Sequence, residues 1–317
     1  MRFAVEAWAP EYGMPTDDLA ALAAPEAPPI LDVETPVAAW APRRPPPGLV
    51  PASCVLFTDG VRRVEARVWI DIAEADGSRD AAARLGLCAS YAAGIVRSWS
   101  GPAGLKAEVV AAEVQRGLFT AAPGAEAIAT RVASFPVRGG AGDGADKLVL
   151  CVQQRMGELE IDLASHAGDA DLIVVDGPLR GRQRLANAIG FVKTHHVSYL
   201  PPLVEGVVAA LGAGERTPIF LTTTSWSRYS WYLRLPGATG HAWAGVVRGE
   251  ASADLEPGAA AALADLSAAT LVRYASRAHK DPRAPQNLYP IAGLERALRH
   301  RLGDPHLIHR SLCAAAA

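Results

Sequence analysis

Two aspartates stand at the ends of apolar runs, each followed by glycine: Asp59 in Cys54-Val-Leu-Phe-Thr-Asp-Gly60 and Asp176 in Leu172-Ile-Val-Val-Asp-Gly177. An apolar run rich in β-branched residues and closed by Asp-Gly predicts a buried strand that stops in a turn. Each carboxylate would then sit on a rigid strand end, where α/β folds place ligand-binding groups. Two convergent carboxylates suit a hard divalent cation, which takes oxygen ligands. A single Asp-Gly is also ordinary turn chemistry. The duplication and its surroundings single these two out.

Between them, Met156, Leu159 and Leu163 recur at helical spacing, and that helix carries Glu158, Glu160 and Asp162. One of these acids, added to Asp59 and Asp176, would complete a site for Mn²⁺ or Mg²⁺; the alternative is a set of surface acids on an amphipathic helix. Paired ions about 4 Å apart clamp the attacking and leaving oxygens of a phosphodiester, so phosphoryl transfer is the chemistry expected. Arg62 and Arg63 follow the first Asp-Gly, and Arg180, Arg182 and Arg184 follow the second, with Lys193 beyond. Guanidinium forks match phosphate oxygens, although a solvated charged loop would look the same. Trp226, Tyr229, Trp231 and Tyr232, interleaved with Arg228 and Arg234, could stack single-stranded bases, but a strand must turn half of these rings to the core. His195-His196 and His306 with His309 match no zinc pattern. Serine-hydrolase elbow, Walker loop and dinucleotide fingerprint are all missing.

The elements that must position these residues begin after a proline-crowded stretch, Pro25 to Pro51, so residues 1–51 are expected to form an extended arm and residues 52–317 the functional domain. A hairpin turning at Asp59-Gly60 is expected next. Alanine-rich 81–97 reads as helix or strand, 107–115 as strand or short helix, and Gly139–Gly144 as a flexible loop. A helix feeding the second Asp strand is a crossover, which predicts a mixed or mainly parallel sheet. Helices are expected over 203–211, 259–274 and 291–302, a strand over 217–222, and a β-ribbon from Trp231–Leu235 and His241–Val247 around Pro236-Gly237.

Composition narrows the classes. The 317 residues are 50% hydrophobic, enough for a sizeable core, and the formal charge of −2 declares no global basic field. Four scattered cysteines form no Cys-x-x-Cys pair, which argues against a zinc knuckle or disulfide framework and favours a reducing cytoplasm. No stretch is long and apolar enough to span a bilayer, so a soluble, cytoplasmic chain is expected.

The order of these motifs resembles the NurA nuclease domain: Asp59-Gly-Val-Arg-Arg63, Arg155 with Glu158 and Glu160, Val174-Val-Asp176-Gly-Pro-Leu179, Gly190-Phe-Val-Lys193, Tyr229-Ser-Trp-Tyr-Leu-Arg234, Val247-Arg-Gly-Glu250 and Leu288-Tyr-Pro290. The resemblance covers about residues 50 to 305. It implies an α/β fold with an RNase H-like mixed sheet flanked by helices, a homodimer, Mn²⁺- or Mg²⁺-dependent DNA cleavage in end processing, and a HerA-type hexameric ATPase as partner. Asp59 and Asp176 would be metal-binding carboxylates with Glu160 or Glu158 as the third, and Lys193 would hold phosphate. DNA would meet Arg62, Arg63, Arg180, Arg182, Tyr229 and Arg234. Family members often carry a histidine soon after the late Tyr-Pro, whereas this chain reads Tyr289-Pro-Ile-Ala-Gly-Leu-Glu295. Glu295, or His279 from upstream, is the candidate replacement. The loss would otherwise mean altered or weakened catalysis, and the alternative reading is a DNA-end-binding or motor-adaptor subunit with a degenerate site that does not cut. A phosphatase acting on small phosphate esters is a further alternative.

Overall fold

A computed structural model describes residues 28–71, 83–101, 104–139, 142, 144–166, 168–195 and 199–316. Three long strands come first: β1 (Cys54–Asp71), β2 (Ala83–Gly101) and β3 (Gly104–Thr120). Ser100 N donates to Ser53 O, Ser98 Oγ to Lys106 O and Thr120 Oγ1 to Leu85 O, as in an antiparallel meander. A short ribbon follows, β4 (Ile128–Ala129) paired with β5 (Ser134–Phe135), and then helix α1 (Ala145–Ser165). The remaining elements are β6 (Leu172–Asp176), β7 (Ala188–Val192), α2 (Pro202–Ala210), β8 (Phe220–Thr223), β9 (Ser227–Arg234), β10 (Val246–Ser252), α3 (Pro257–Leu271), α4 (Tyr289–Arg301) and α5 (Pro305–Ala316).

Eight strands form one sheet in the order β3-β2-β1-β6-β7-β10-β9-β8. β1, β6 and β7 run parallel, and β10, β9 and β8 continue the sheet antiparallel. The fold is thus a mixed α/β sheet flanked by helices, RNase H-like in its antiparallel start and parallel continuation, with a separate two-stranded ribbon. The crossover from β1 to its parallel neighbour β6 includes α1, as parallel pairing requires.

Several local expectations change. β1 passes straight through Asp59-Gly60, so no hairpin turns there; Asp-Gly permits a turn but does not impose one. The second Asp-Gly does turn, with Gly177 at φ 102°, a region that disfavours a side chain. Alanine-rich β2 is buried from Gly86 through Val96, where small side chains serve a central strand and local helix propensity is overridden. Helix α1 begins at Ala145, ahead of the periodic run that announced it. β10 begins at Val246, and its partner β9 joins it in the main sheet. β7 and α5 were not anticipated. Residues 1–27 of the arm, residues 140, 141 and 143 of the glycine loop, and His196 lie outside the described residues.

The chain divides into two units. The first comprises residues 1–58, 95–110 and 167–293. Its core joins Trp40 to Tyr199, Leu200, Val204, Val208, Phe220 and Tyr232. The described part of the arm is bound here: Ile30 bridges Leu221, Arg43 bridges Arg216, and Glu34 takes two bonds from the fully buried Arg216, whose Nε donates to Asp265 at 2.7 Å. The second unit comprises residues 59–94, 111–166 and 294–317. There α1 places Leu148, Val152, Met156 and Leu159 against Leu87, Tyr91 and Phe119 of β2 and β3. α5 buries Ile308 and Leu312 against Leu118 and Phe135.

Candidate metal centre

The parallel register of β1 and β6 ends with Thr58 opposite Val175. The next residue on each strand is the aspartate, so a slip of one residue would send one carboxylate to the other face. Asp59, Asp176 and Glu295 each offer a carboxylate oxygen, and these oxygens all lie within 4.8 Å of one another. Asp59 is buried, and Asp176 and Glu295 are half-buried. Asp59 Oδ1 also accepts from the Gly60 N–H at 2.8 Å. The donors are all carboxylate oxygens, the set that suits Mg²⁺ or Mn²⁺ and lacks the nitrogen and sulfur of softer sites. Of the two candidate replacements for a late histidine, Glu295 lies on α4 in this group, whereas His279 is exposed and outside it.

Glu160 and Glu158 separate clearly. Glu158 is exposed and pairs with Arg155 at 2.8 Å, an i, i+3 surface contact worth little. Glu160 is buried, and its Oε1 packs against the Gly60 α-carbon, beside Asp59. A bare α-carbon is what lets the carboxylate come so close.

Asp176 lies opposite Phe191 in β7, and two residues on, on the same face, comes Lys193. Lys193 Nζ is 2.7 Å from Asp176 Oδ2 and 3.0 Å from Asn287 Oδ1. Asn287 is fully buried and donates to Asp281 Oδ2 at 2.7 Å. Neither Asn287 nor Asp281 was singled out in the sequence. Both lie in an irregular segment with no strand or helix pattern to mark them.

The expected cations divide by environment. Arg62 donates to Gln153 at 2.7 Å, while Arg63 forks onto the buried Glu65 and reaches Gly303 O. Arg180 and Arg184 are exposed, and Arg182 is buried with Nη1 donating to Arg180 O. The ribbon residues have other work. Tyr229, Trp231 and Tyr232 are buried, leaving Trp226 as the one partly exposed ring of the four, and Arg234 donates to the carbonyls of Val208, Ala209, Leu211, Ala242 and Ala244. Arg234 therefore closes the C-terminal end of α2, where orphan carbonyls need donors, and Tyr229 is buried in β9 opposite Leu221 and Ala251. Glu250 is buried between Arg228 at 2.8 Å and Arg248 at 2.9 Å, and its other oxygen accepts from Leu179 N in the turn after Asp176. Although burial works against its charge, Glu250, Tyr199 and Tyr232 hold Arg248 above the ordinary guanidinium value.

Fold and site together define a mixed α/β protein with a three-carboxylate group drawn from β1, the end of β6 and α4. No family model matches the chain, and no curated protein matches it in sequence. Among solved structures, it is similar to the crystal structure of the NurA nuclease from Sulfolobus solfataricus, at 12% identity and a TM-score of 0.45 over 83% of this chain and 84% of that one. The functional reading rests on the carboxylates rather than on this likeness. None of the described helices is long and apolar enough to cross a membrane.

Proposed function

We propose that the protein is a divalent-metal-dependent nuclease that hydrolyses DNA phosphodiesters. The observation that carries this reading is the proximity of Asp59, Asp176 and Glu295, with ligand oxygens within 4.8 Å. These three would hold the ion, and Glu160 beside Gly60 would assist them. When bound, such an ion supplies Lewis-acid polarisation of the phosphodiester and a lowered pKa for water. The chain's own part is orientation and charge. The strand register fixes Asp59 and Asp176, Lys193 offers an ammonium to a phosphate oxygen, and Arg62, Arg63 and the exposed Arg180 are the candidate backbone contacts, with the buried Arg182 bonded to Arg180 O.

The motif order that resembles the NurA domain extends the proposal to Mn²⁺ as the working ion, DNA end processing, a homodimer and a HerA-type ATPase partner. Glu295 in the acidic group supports an intact site over a degenerate one.

The test is incubation of single- and double-stranded DNA with the purified chain and Mn²⁺. Cleavage should appear, vanish with chelator, and fall by more than about 100-fold in Asp59→Asn and Asp176→Asn. DNA binding without cleavage under any divalent ion would transfer the reading to the non-cutting, end-binding subunit. Hydrolysis of mononucleotide esters with no action on polymer would make it a phosphatase.

A further inference from the structure

Lys193 is held from two sides. A lysine on a flexible stem gains little from one exposed carboxylate, and such a contact would yield to an arriving divalent cation. Here the Lys193 side chain is only 11% exposed, with Asp176 Oδ2 on one side and Asn287 Oδ1 on the other. The ammonium can only donate, so the Asn287 atom facing it must be the carbonyl oxygen, which leaves the Asn287 NH₂ for Asp281. That second bond exists, at 2.7 Å, and Asp281 is itself braced: Oδ1 accepts from Arg283 N at 2.8 Å. Asn287 is fully buried, so turning its amide would leave polar groups unsatisfied out of water.

We propose that Asn287 and Asp281 are positioning residues that keep the Lys193 ammonium at Asp176 while the acidic group takes up its divalent ion. The proposal rests on the nuclease reading and adds to it a resident monovalent cation anchored through Asn287. Its consequences have opposite signs. A held ammonium opposes ion uptake by like charge and presents a donor to a phosphate oxygen. Loosening it should therefore tighten ion binding and slow cleavage, whereas a merely structural role would weaken both.

The experiment uses the full chain with Asp281→Asn and, as the more drastic variant, Asn287→Leu, each shown by near-UV circular dichroism to keep its fold. Limited acylation with acetic anhydride in the absence of metal, read by peptide mass spectrometry, reports how firmly Lys193 is held. Mn²⁺ affinity is read from the electron paramagnetic resonance signal of the free ion. In the variants, Lys193 labelling should rise by about fivefold or more, Mn²⁺ should bind about fivefold tighter, and cleavage should fall. Unchanged labelling in both variants, or Mn²⁺ affinity and cleavage falling together, would overturn the proposal. A wild-type chain that takes up no Mn²⁺ would overturn the nuclease reading, while the labelling would still show whether Asn287 holds Lys193.

Discussion

The carboxylate of Glu160 lies against the α-carbon of Gly60, the residue that follows Asp59. A methyl group at Gly60 would meet Glu160 Oε1, with Met156 Cγ at 2.9 Å and Sδ at 3.0 Å. The glutamate tip is flexible and can yield, so Gly60→Ala should cost only about 1 kcal/mol in denaturant unfolding, the low end for overpacking. Its main effect should be to displace Glu160, lowering Mn²⁺-dependent cleavage by about tenfold or more. Unaltered cleavage would remove Glu160 from the site.

Glu34 and Arg216 tie the arm to the first unit. Burial alone would raise the Glu34 carboxyl, but the hydrogen bond and charge of Arg216 outweigh it and hold the group below its ordinary value of 4.5. A depressed folded-state pKa stabilises the fold above the unfolded value and loses that contribution as pH falls through the folded one. Glu34→Gln should therefore destabilise the protein by about 1.5 to 3 kcal/mol at neutral pH, the range for hydrogen bonds to a charged group, since Asp265 still pairs with Arg216, and the gap should narrow in acid. Urea unfolding between pH 3 and 7 (roughly the carboxylate range) checks this. A gap independent of pH would contradict it.

Glu250 is the one carboxylate bonded to both Arg228 and Arg248 among the described residues. Glu250→Gln removes that charge from beneath two buried guanidinium groups, at a cost of about 3 to 5 kcal/mol. Its second oxygen also anchors Leu179 N, so the turn after Asp176 should loosen. Hydrogen exchange at residues 177–182 should rise in this variant, and unchanged protection there would deny Glu250 a part in shaping that turn.

Burial pushes the Cys88 thiol up to about 12, with Glu65 adding to the effect. Because the thiolate is the nucleophile, Cys88 should resist iodoacetamide in the folded protein, whereas exposed Cys313 should react. Mass spectrometry of the alkylated chain decides; labelling of both at equal rates would contradict the buried placement.

What was legible in the sequence followed from strong local patterns. The β-branched runs before Asp59 and Asp176 gave the two parallel strands, because a buried central strand leaves few other choices for such residues. The periodic stripe of Met156, Leu159 and Leu163 gave α1. Asp59-Gly60 misled because a glycine kept for close approach to Glu160 looks identical to one kept for a turn. β7 was hidden by its short length, and α5 by a polar terminal sequence in which only Ile308 and Leu312 are buried. Asn287 and Asp281 carried no local signal at all. Asn287 meets Lys193 across 94 residues of chain, and Asp281 is reached only through Asn287. Glu295 was legible only as a substitute for a missing histidine, and its place beside the two aspartates came from the fold.

The central claim is that Asp59, Asp176 and Glu295 hold a divalent ion. Diffraction from crystals soaked in Mn²⁺, collected at the manganese edge, tests it most directly. The account predicts an anomalous peak bounded by these three carboxylates, lost in Asp176→Asn. A saturating soak that leaves this position without a peak, or places the ion elsewhere, would contradict it.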